Sequence, residues 1–127
     1  MTAWHPSPLT LTVEAAPASA VVRVAGDLDY DTCAELLAAV APLIDRWLAA
    51  PSAAAELRLD LGRLGSVDSS GLSVLLLIRR RTDEARVRLH LDERPDALNR
   101  LLDVTGTVKF LTADRDRSGD RRGPRTG

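Results

Sequence analysis

The chain has 127 residues, which suffices for one domain of ordinary size and not for two. Its 17 basic and 18 acidic residues give a formal net charge of −1, which argues against nucleic-acid binding by bulk electrostatic attraction. With 45% hydrophobic and only 3% aromatic residues, a packed core is possible, whereas a stacking platform for bases is not expected.

Cysteine, histidine and apolar runs limit the protein further. The single cysteine excludes an internal disulfide and a cysteine-rich metal site, and two histidines leave little for zinc, so we expect neither metal nor cofactor. The apolar run from Val74 to Ile78 is far shorter than the roughly 20 residues of a membrane helix. With no leader-like segment at the start, the expected location is the cytoplasm, away from membranes.

The first elements are predicted as a β-hairpin. Residues 1–8 are expected to form a loose arm. Period-two alternation predicts a strand over 9–14, and the valine-rich stretch 20–25 predicts a second strand. Because the connection between them is short, antiparallel pairing is expected, and residues 26–29 close the second strand.

A helix is predicted next. Thr32 and Glu35 have the spacing of a capping box, and an apolar face at helical spacing runs to Leu48. Pro42 predicts a kink or a break in this helix, because proline removes a backbone hydrogen bond. Cys33 is interpreted as a small core residue, and residues 49–55 as a loop.

The second half of the chain alternates strands and helices. A strand is predicted over 56–61, and a buried helix over 72–81 that ends in Arg79 to Arg81. A strand over 87–91 with an outward His90 follows, and then a helix from Pro95 to Gly106, whose inner face is Ala97, Leu98, Leu101, Leu102 and Thr105. Residues 108–111 are predicted as a short last strand or extended segment, and 113–127 as a disordered Arg/Asp-rich tail. The three arginines are interpreted as a solvated helix end in preference to a site for an acidic partner.

The fold class follows from this order. The order β-β-α-β-α-β-α-(β) predicts an α/β domain over 9–112 with a mixed sheet of four to five strands. Strands covered on both sides read as continuous apolar runs, whereas the third and fourth predicted strands alternate strictly. The helices are therefore expected mainly on one face of the sheet.

The segment 66–72 joins a strand to the buried helix and carries the chemistry. Ser69 or Ser70 is predicted as the N-cap, where a phosphate attached to serine would meet free backbone N–H groups. Gly71 is interpreted as removing a side chain that would block a partner, and Asp68 as an acceptor for a serine hydroxyl. Plain helix capping without a signalling role remains the alternative.

Three motifs together resemble the STAS family, whose name joins sulfate transporters and anti-sigma factor antagonists. They are Gly26-Asp27-Leu28-Asp29, Leu57-Arg58-Leu59-Asp60-Leu61 and Val67-Asp68-Ser69-Ser70-Gly71-Leu72, and the likeness spans about residues 9–112. The last motif resembles the bacterial anti-sigma factor antagonist branch. This resemblance implies that Ser69, directly after Asp68, is the phosphorylated serine.

The resemblance also implies partners. The unmodified protein would bind an anti-sigma factor that is also a serine kinase and so release a sigma factor, and a phosphatase acting on phosphoserine would restore the serine. The expected partner-binding residues are Asp27, Asp29, Asp68, Ser70 and Gly71. No nucleic-acid or membrane partner is expected, and the chain should be a monomer or a weak dimer. The alternative is a non-catalytic STAS scaffold subunit of a larger signalling or transport assembly.

One question remains open at the level of sequence, and one class of function is not expected. Asp27 and Asp29 fit a turn and a partner surface equally well, because both uses need the same exposed loop. An enzyme is not expected, since Ser69 has no obvious histidine partner and neither a Gly-x-Ser-x-Gly elbow nor a phosphate-binding loop is present.

Overall fold

The computed structural model describes residues 9–112, so the arm expected at 1–8 and the tail expected at 113–127 lie outside the described residues. The elements are β1 (Leu9–Ala16), β2 (Ser19–Leu28), α1 (Cys33–Ala49), β3 (Glu56–Val67), α2 (Ser69–Glu84), β4 (Arg88–Asp92), α3 (Asp96–Thr105) and α4 (Val108–Thr112). No helix within 9–112 is both long and apolar enough to cross a membrane.

The sheet has four strands in the order β1-β2-β3-β4. β1 and β2 form the predicted antiparallel hairpin, while β2, β3 and β4 are parallel. β2 and β3 extend beyond the predicted strands, because residues 26–28 pair with residues of 64–67 after two shifts of register. The carboxyl ends of β2 and β3 therefore lie side by side.

Side-chain burial alternates as predicted along β4 and along β3 up to Leu61, whereas most of β1 is exposed. Leu57, Leu59 and Leu61 of β3 are fully buried, whereas Arg58 between them reaches the open face and its Nη1 lies 3.0 Å from Asp92 Oδ2. The mixed sheet with helices mainly on one face is confirmed.

The core joins α1 to the hairpin through one tryptophan. Trp47 is the largest fully buried side chain, and its indole N–H donates to Pro17 O at the hairpin turn over 3.0 Å. Because Trp47 lies near the end of α1, this contact secures the helix against the far end of β1 and β2.

Of the two outcomes predicted at Pro42, a kink or a break, the break is wrong. α1 continues through Pro42, which is exposed. Burial of Leu36, Val40, Leu43, Ile44 and Trp47 on the opposite face accounts for this continuity. The capping box is also wrong: Thr32 is the N-cap, but its side chain makes no capping hydrogen bond.

The segment predicted as a last strand is instead the short helix α4. Gly106 ends α3 as predicted, in the left-handed region at φ 71°. The chain then turns, Leu111 N–H donates to Thr107 O over 3.0 Å, and Leu111 is fully buried. A short apolar run does not by itself distinguish a strand from a helix turn, and burial of Leu111 decides here.

The arginine cluster at the end of α2 is only partly a solvated helix end. Arg79 is 5% exposed and its Nε lies 3.1 Å from Asp83 Oδ1, one turn further along the helix. Arg80 is exposed and Arg81 half-buried, so the interpretation is wrong for Arg79, which is a packed, paired residue.

Candidate functional site

The candidate site lies where two loops meet at the carboxyl end of the parallel strands. Leu28 at the end of β2 is the register partner of Val67 at the end of β3. The loop from β2 to α1 and the turn from β3 to α2 are consequently neighbours. Asp29 and Asp68, predicted from separate motifs, belong to these two connections, and Asp27 lies next to them at the end of β2.

Asp68 is the N-cap of α2, and it joins the two connections. Its Oδ1 accepts from Gly71 N–H at 2.9 Å, and its Oδ2 accepts from the Tyr30 N–H of the other loop at 3.2 Å. The prediction of Ser69 or Ser70 as the cap is wrong, because the aspartate side chain one residue earlier satisfies the helix donor. Its oxygens bind backbone N–H groups instead of the serine hydroxyl that was predicted.

The two serines occupy the first helical turn. Ser69 is exposed and begins α2, whereas Ser70 is half-buried. The first intrahelical donor is Leu72 N–H, which bonds Asp68 O at 2.9 Å. By position the N–H groups of Ser69 and Ser70 have no acceptor within the helix, so they are available to a negative group.

Gly71 has a reason for being glycine that the sequence did not reveal. It is buried, and a Cβ there would overlap Leu28 O and lie 2.8 Å from Val67 Cγ2. The missing side chain lets the first turn of α2 approach the ends of β2 and β3. The physical reason predicted for Gly71, an unobstructed approach for a partner, does not fit a buried position.

The loop between β2 and α1 is organised by Thr32 and Asp29. The buried Thr32 Oγ1 donates to Asp27 O at 2.8 Å and accepts from Asp29 N–H at 2.9 Å. Asp29 Oδ1 accepts from Asp31 N–H at 3.0 Å. Asp29 thus has the turn role considered for it, while Asp27 is half-buried at the end of β2.

Apolar surface beside the turn 68–71 was missed by the sequence reasoning. Tyr30 is 78% exposed in the first loop, and Val104 is 80% exposed on α3. A shallow groove of about 270 Å³ is lined by Val67, Ala97, Arg100, Leu101 and Val104.

The signal for this groove was present in the sequence of α3. Leu98 and Leu102 are fully buried, whereas Ala97 and Thr105, also predicted inside, are exposed. The helix therefore has two apolar faces, and positions 97, 101 and 104 form the second one at helical spacing.

The same region offers no visible metal chemistry. Within 9–112, no group of three or more His, Cys, Asp or Glu is placed to hold a metal ion. What the geometry provides is an exposed hydroxyl on a capped helix turn, next to an acidic loop and an apolar groove.

Comparisons with known proteins identify the family. A family model described as Mlab, STAS domain matches residues 11–112. Similar solved structures include an anti-sigma factor antagonist from Mycobacterium paratuberculosis, with a TM-score of 0.65 at 23% identity over 87% of this chain and 90% of that one. The Bacillus cell fate determinant SpoIIAA in its phosphorylated form has a TM-score of 0.61 at 20% identity over 90% and 100%.

A third similar structure is a putative anti-sigma factor antagonist from Thermotoga maritima, with a TM-score of 0.63 at 14% identity over 87% of this chain and 92% of that one. At these identities the structures demonstrate a shared fold. The comparison with curated proteins gave no match. Because the family model spans nearly all the described residues, the chain belongs to the STAS domain family.

Proposed function

We propose that this protein is an anti-sigma factor antagonist whose binding to an anti-sigma factor is controlled by phosphorylation of Ser69. The observation that carries the proposal is the exposed Ser69 hydroxyl at the first turn of α2, directly after the capping Asp68. The proposed partner is an anti-sigma factor with serine-kinase activity, and a phosphatase would restore the free serine. The protein itself would be non-catalytic and would act in the cytoplasm.

The names of the similar structures support this proposal. Three of them are described as anti-sigma factor antagonists and a fourth as a putative one. SpoIIAA has been solved in both an unphosphorylated and a phosphorylated form. A fold of this shape is thus compatible with phosphorylation in a related protein. The Asp-Ser-Ser-Gly motif supplies a candidate acceptor serine in this chain.

The switch would act through charge at the surface. A phosphoserine carries about −1.5 to −2 charges at neutral pH. At Ser69 this charge would meet the N–H groups of the first turn, which offset part of its cost to the fold. It would also adjoin Asp68 and the exposed Asp31 of the neighbouring loop, and a docked partner would be repelled by this cluster.

The partner surface would combine polar and apolar parts. Asp27, Asp29 and Asp68 remain the proposed acidic contacts, with Ser70 beside them and Gly71 acting from within by fixing the turn. The exposed Tyr30 and the groove along α3 extend this surface with apolar area. Exposed apolar side chains rimmed by polar ones are typical of protein-binding sites.

The test is phosphate transfer from radiolabelled ATP by a candidate anti-sigma kinase, together with binding measurements. Ser69→Ala should abolish labelling and retain partner binding, and its stability should change by less than about 0.5 kcal/mol because the side chain is exposed. Ser69→Glu should weaken binding in part, since it adds less charge than phosphate. Ser70→Ala is the matched control and should retain labelling.

The outcomes separate the alternatives. If labelling persists in Ser69→Ala and disappears in Ser70→Ala, Ser70 is the phosphorylated serine. A scaffold subunit would bind its partners equally well with Ser69→Ala and Ser69→Glu. If this turn only caps the helix and has no signalling role, neither Ser69→Ala nor Ser69→Glu would change labelling or partner binding. Wild-type protein that takes no label from any candidate kinase would overturn the antagonist proposal.

A further inference from the structure

One edge of the sheet is formed by β1. Within residues 9–112, β1 pairs with β2 alone. Unpaired strand edges invite pairing with another chain, and proteins usually guard them with lysine, proline, a bulge or a short strand. β1 has eight residues, contains no proline or basic residue, and has Glu14 as its single charge. Its register with β2 runs without a shift from Leu9 to Ala16.

The opposite edge is guarded in several of these ways. β4 has only five residues, and Arg88 and Asp92 put charge along its open face. The contrast between the two edges indicates that β1 is the edge suited to pairing.

We propose that β1 pairs antiparallel with β1 of a second copy of this chain, about a two-fold axis at Thr12. Pairing of this kind would join two four-stranded sheets into one continuous sheet. In this register Leu11 lies opposite Val13 of the other copy, and Thr10 lies opposite Glu14. The occupant of the edge is thus the same strand, which is complementary to itself.

The register follows from strand geometry and charge. Backbone groups point outward at alternate residues, so a strand pairs with its own copy only when facing residues are of the same parity. Centring at Glu14 would oppose two carboxylates, which is unfavourable. Centring at Thr12 keeps nearly all of β1 paired and gives Glu14 a threonine hydroxyl as its neighbour.

The apolar side chains of β1 support the same register. Leu11 and Val13 are register partners of the buried Val24 and Val22, so they lie on the helix-covered face of the sheet. At the edge, however, Val13 remains 43% exposed. Contact with Leu11 of the other copy would cover it, and aliphatic pairs across strands stabilise such contacts.

Self-association of this kind would leave the proposed switch accessible. Ser69 follows the carboxyl end of β3, two strands away from the β1 edge. Antiparallel pairing reverses the strand direction. The Ser69 residues of the two copies would therefore lie at opposite ends of the strands in the joined sheet. The proposal therefore neither requires nor contradicts phosphorylation at Ser69.

The first test is sedimentation of the full chain over a concentration series. Thr12→Glu should weaken dimerisation about fivefold, because two carboxylates would face each other at the axis. The fold should tolerate it, since Arg23 is the register partner of Thr12 on β2 and offers an opposite charge. Thr12→Gln, of equal size and uncharged, should dimerise as the wild type does.

The second test fixes the register by crosslinking. In a Cys33→Ala background, Thr12→Cys should form a disulfide-linked dimer under mild oxidation, because facing strand residues lie within disulfide range. Val13→Cys should crosslink more slowly from its diagonal position. Faster crosslinking of Val13→Cys, equal dimerisation of Thr12→Glu and Thr12→Gln, or a wild type that stays monomeric up to about 1 mM would each overturn the proposal.

Discussion

At Gly71, an added methyl group would overlap Leu28 O, a backbone atom that cannot move aside, and would lie 2.8 Å from Val67 Cγ2. Alanine normally stabilises a helix by about 1 kcal/mol over glycine. The sign should reverse here, because the turn of α2 would have to move away from the ends of β2 and β3.

Gly71→Ala is therefore expected to lower the free energy of unfolding by about 2 kcal/mol, measured by urea denaturation. Ser70→Ala, one position earlier in the same turn, is the control and should change it by less than about 0.5 kcal/mol. A Gly71→Ala protein as stable as the wild type would contradict the close approach of helix and strand.

Residue identities predicted the position of the turn 68–71 better than its hydrogen bonds. The motif around Ser69 and its location between a strand and a buried helix were legible in the sequence. The cap assignment was not, because Asp68 and both serines are all good N-caps. Only the structure shows that Asp68 also accepts from Tyr30, which is distant in sequence.

At the scale of elements, α1 contains a proline that its packing does not require. Pro42 is exposed, and it leaves the carbonyl one turn earlier without a helical donor. The helix persists because its other face is buried. The cost of the proline is thus a local loss within an otherwise well-packed element.

Pro42→Ala should raise the free energy of unfolding by about 1–2 kcal/mol. Pro51→Ala is the matched control, because Pro51 is exposed in the loop after α1 and its replacement restores no helix bond. Thermal unfolding of both variants measures the difference. Equal melting temperatures for the two would indicate that Pro42 is accommodated without loss.

The order of the elements and the open face of the sheet were predictable from the sequence. The ends of β2 and β3 and the helical nature of α4 were not. Strict alternation in β3 gave both the strand and its open face, since the period of two is unambiguous there. The extensions of β2 and β3 through Gly26 and Gly62 were hidden, because glycine-containing stretches read as turns. The last strand was mistaken because α4 is only five residues long.

At the scale of the whole molecule, one core spans both halves of the described chain. The hydrophobic cluster runs from Leu9 of β1 to Leu111 of α4 and includes Trp47. Since every strand and helix contributes to a single cluster, partial unfolding would expose much of it. Cooperative unfolding is the expected behaviour of such a domain.

Urea unfolding followed by far-ultraviolet circular dichroism and by Trp47 fluorescence should give the same midpoint. A Trp4→Phe background makes Trp47 the sole reporter. Trp47 reports on the contact between α1 and the hairpin, and circular dichroism reports on all helices. A fluorescence midpoint at lower urea would indicate that the hairpin end separates before the rest.

The carboxylate of Asp68 holds two loops at once, one through each oxygen. Fixing the backbone of a residue costs about 1–2 kcal/mol of conformational entropy. Flexible loops would lose that conformational entropy each time they bind a partner, whereas loops that are held together lose it once, when the chain folds. A protein that docks on these two loops should therefore meet a preorganised surface. Its affinity should depend on the charge of that surface more than on any rearrangement of the loops.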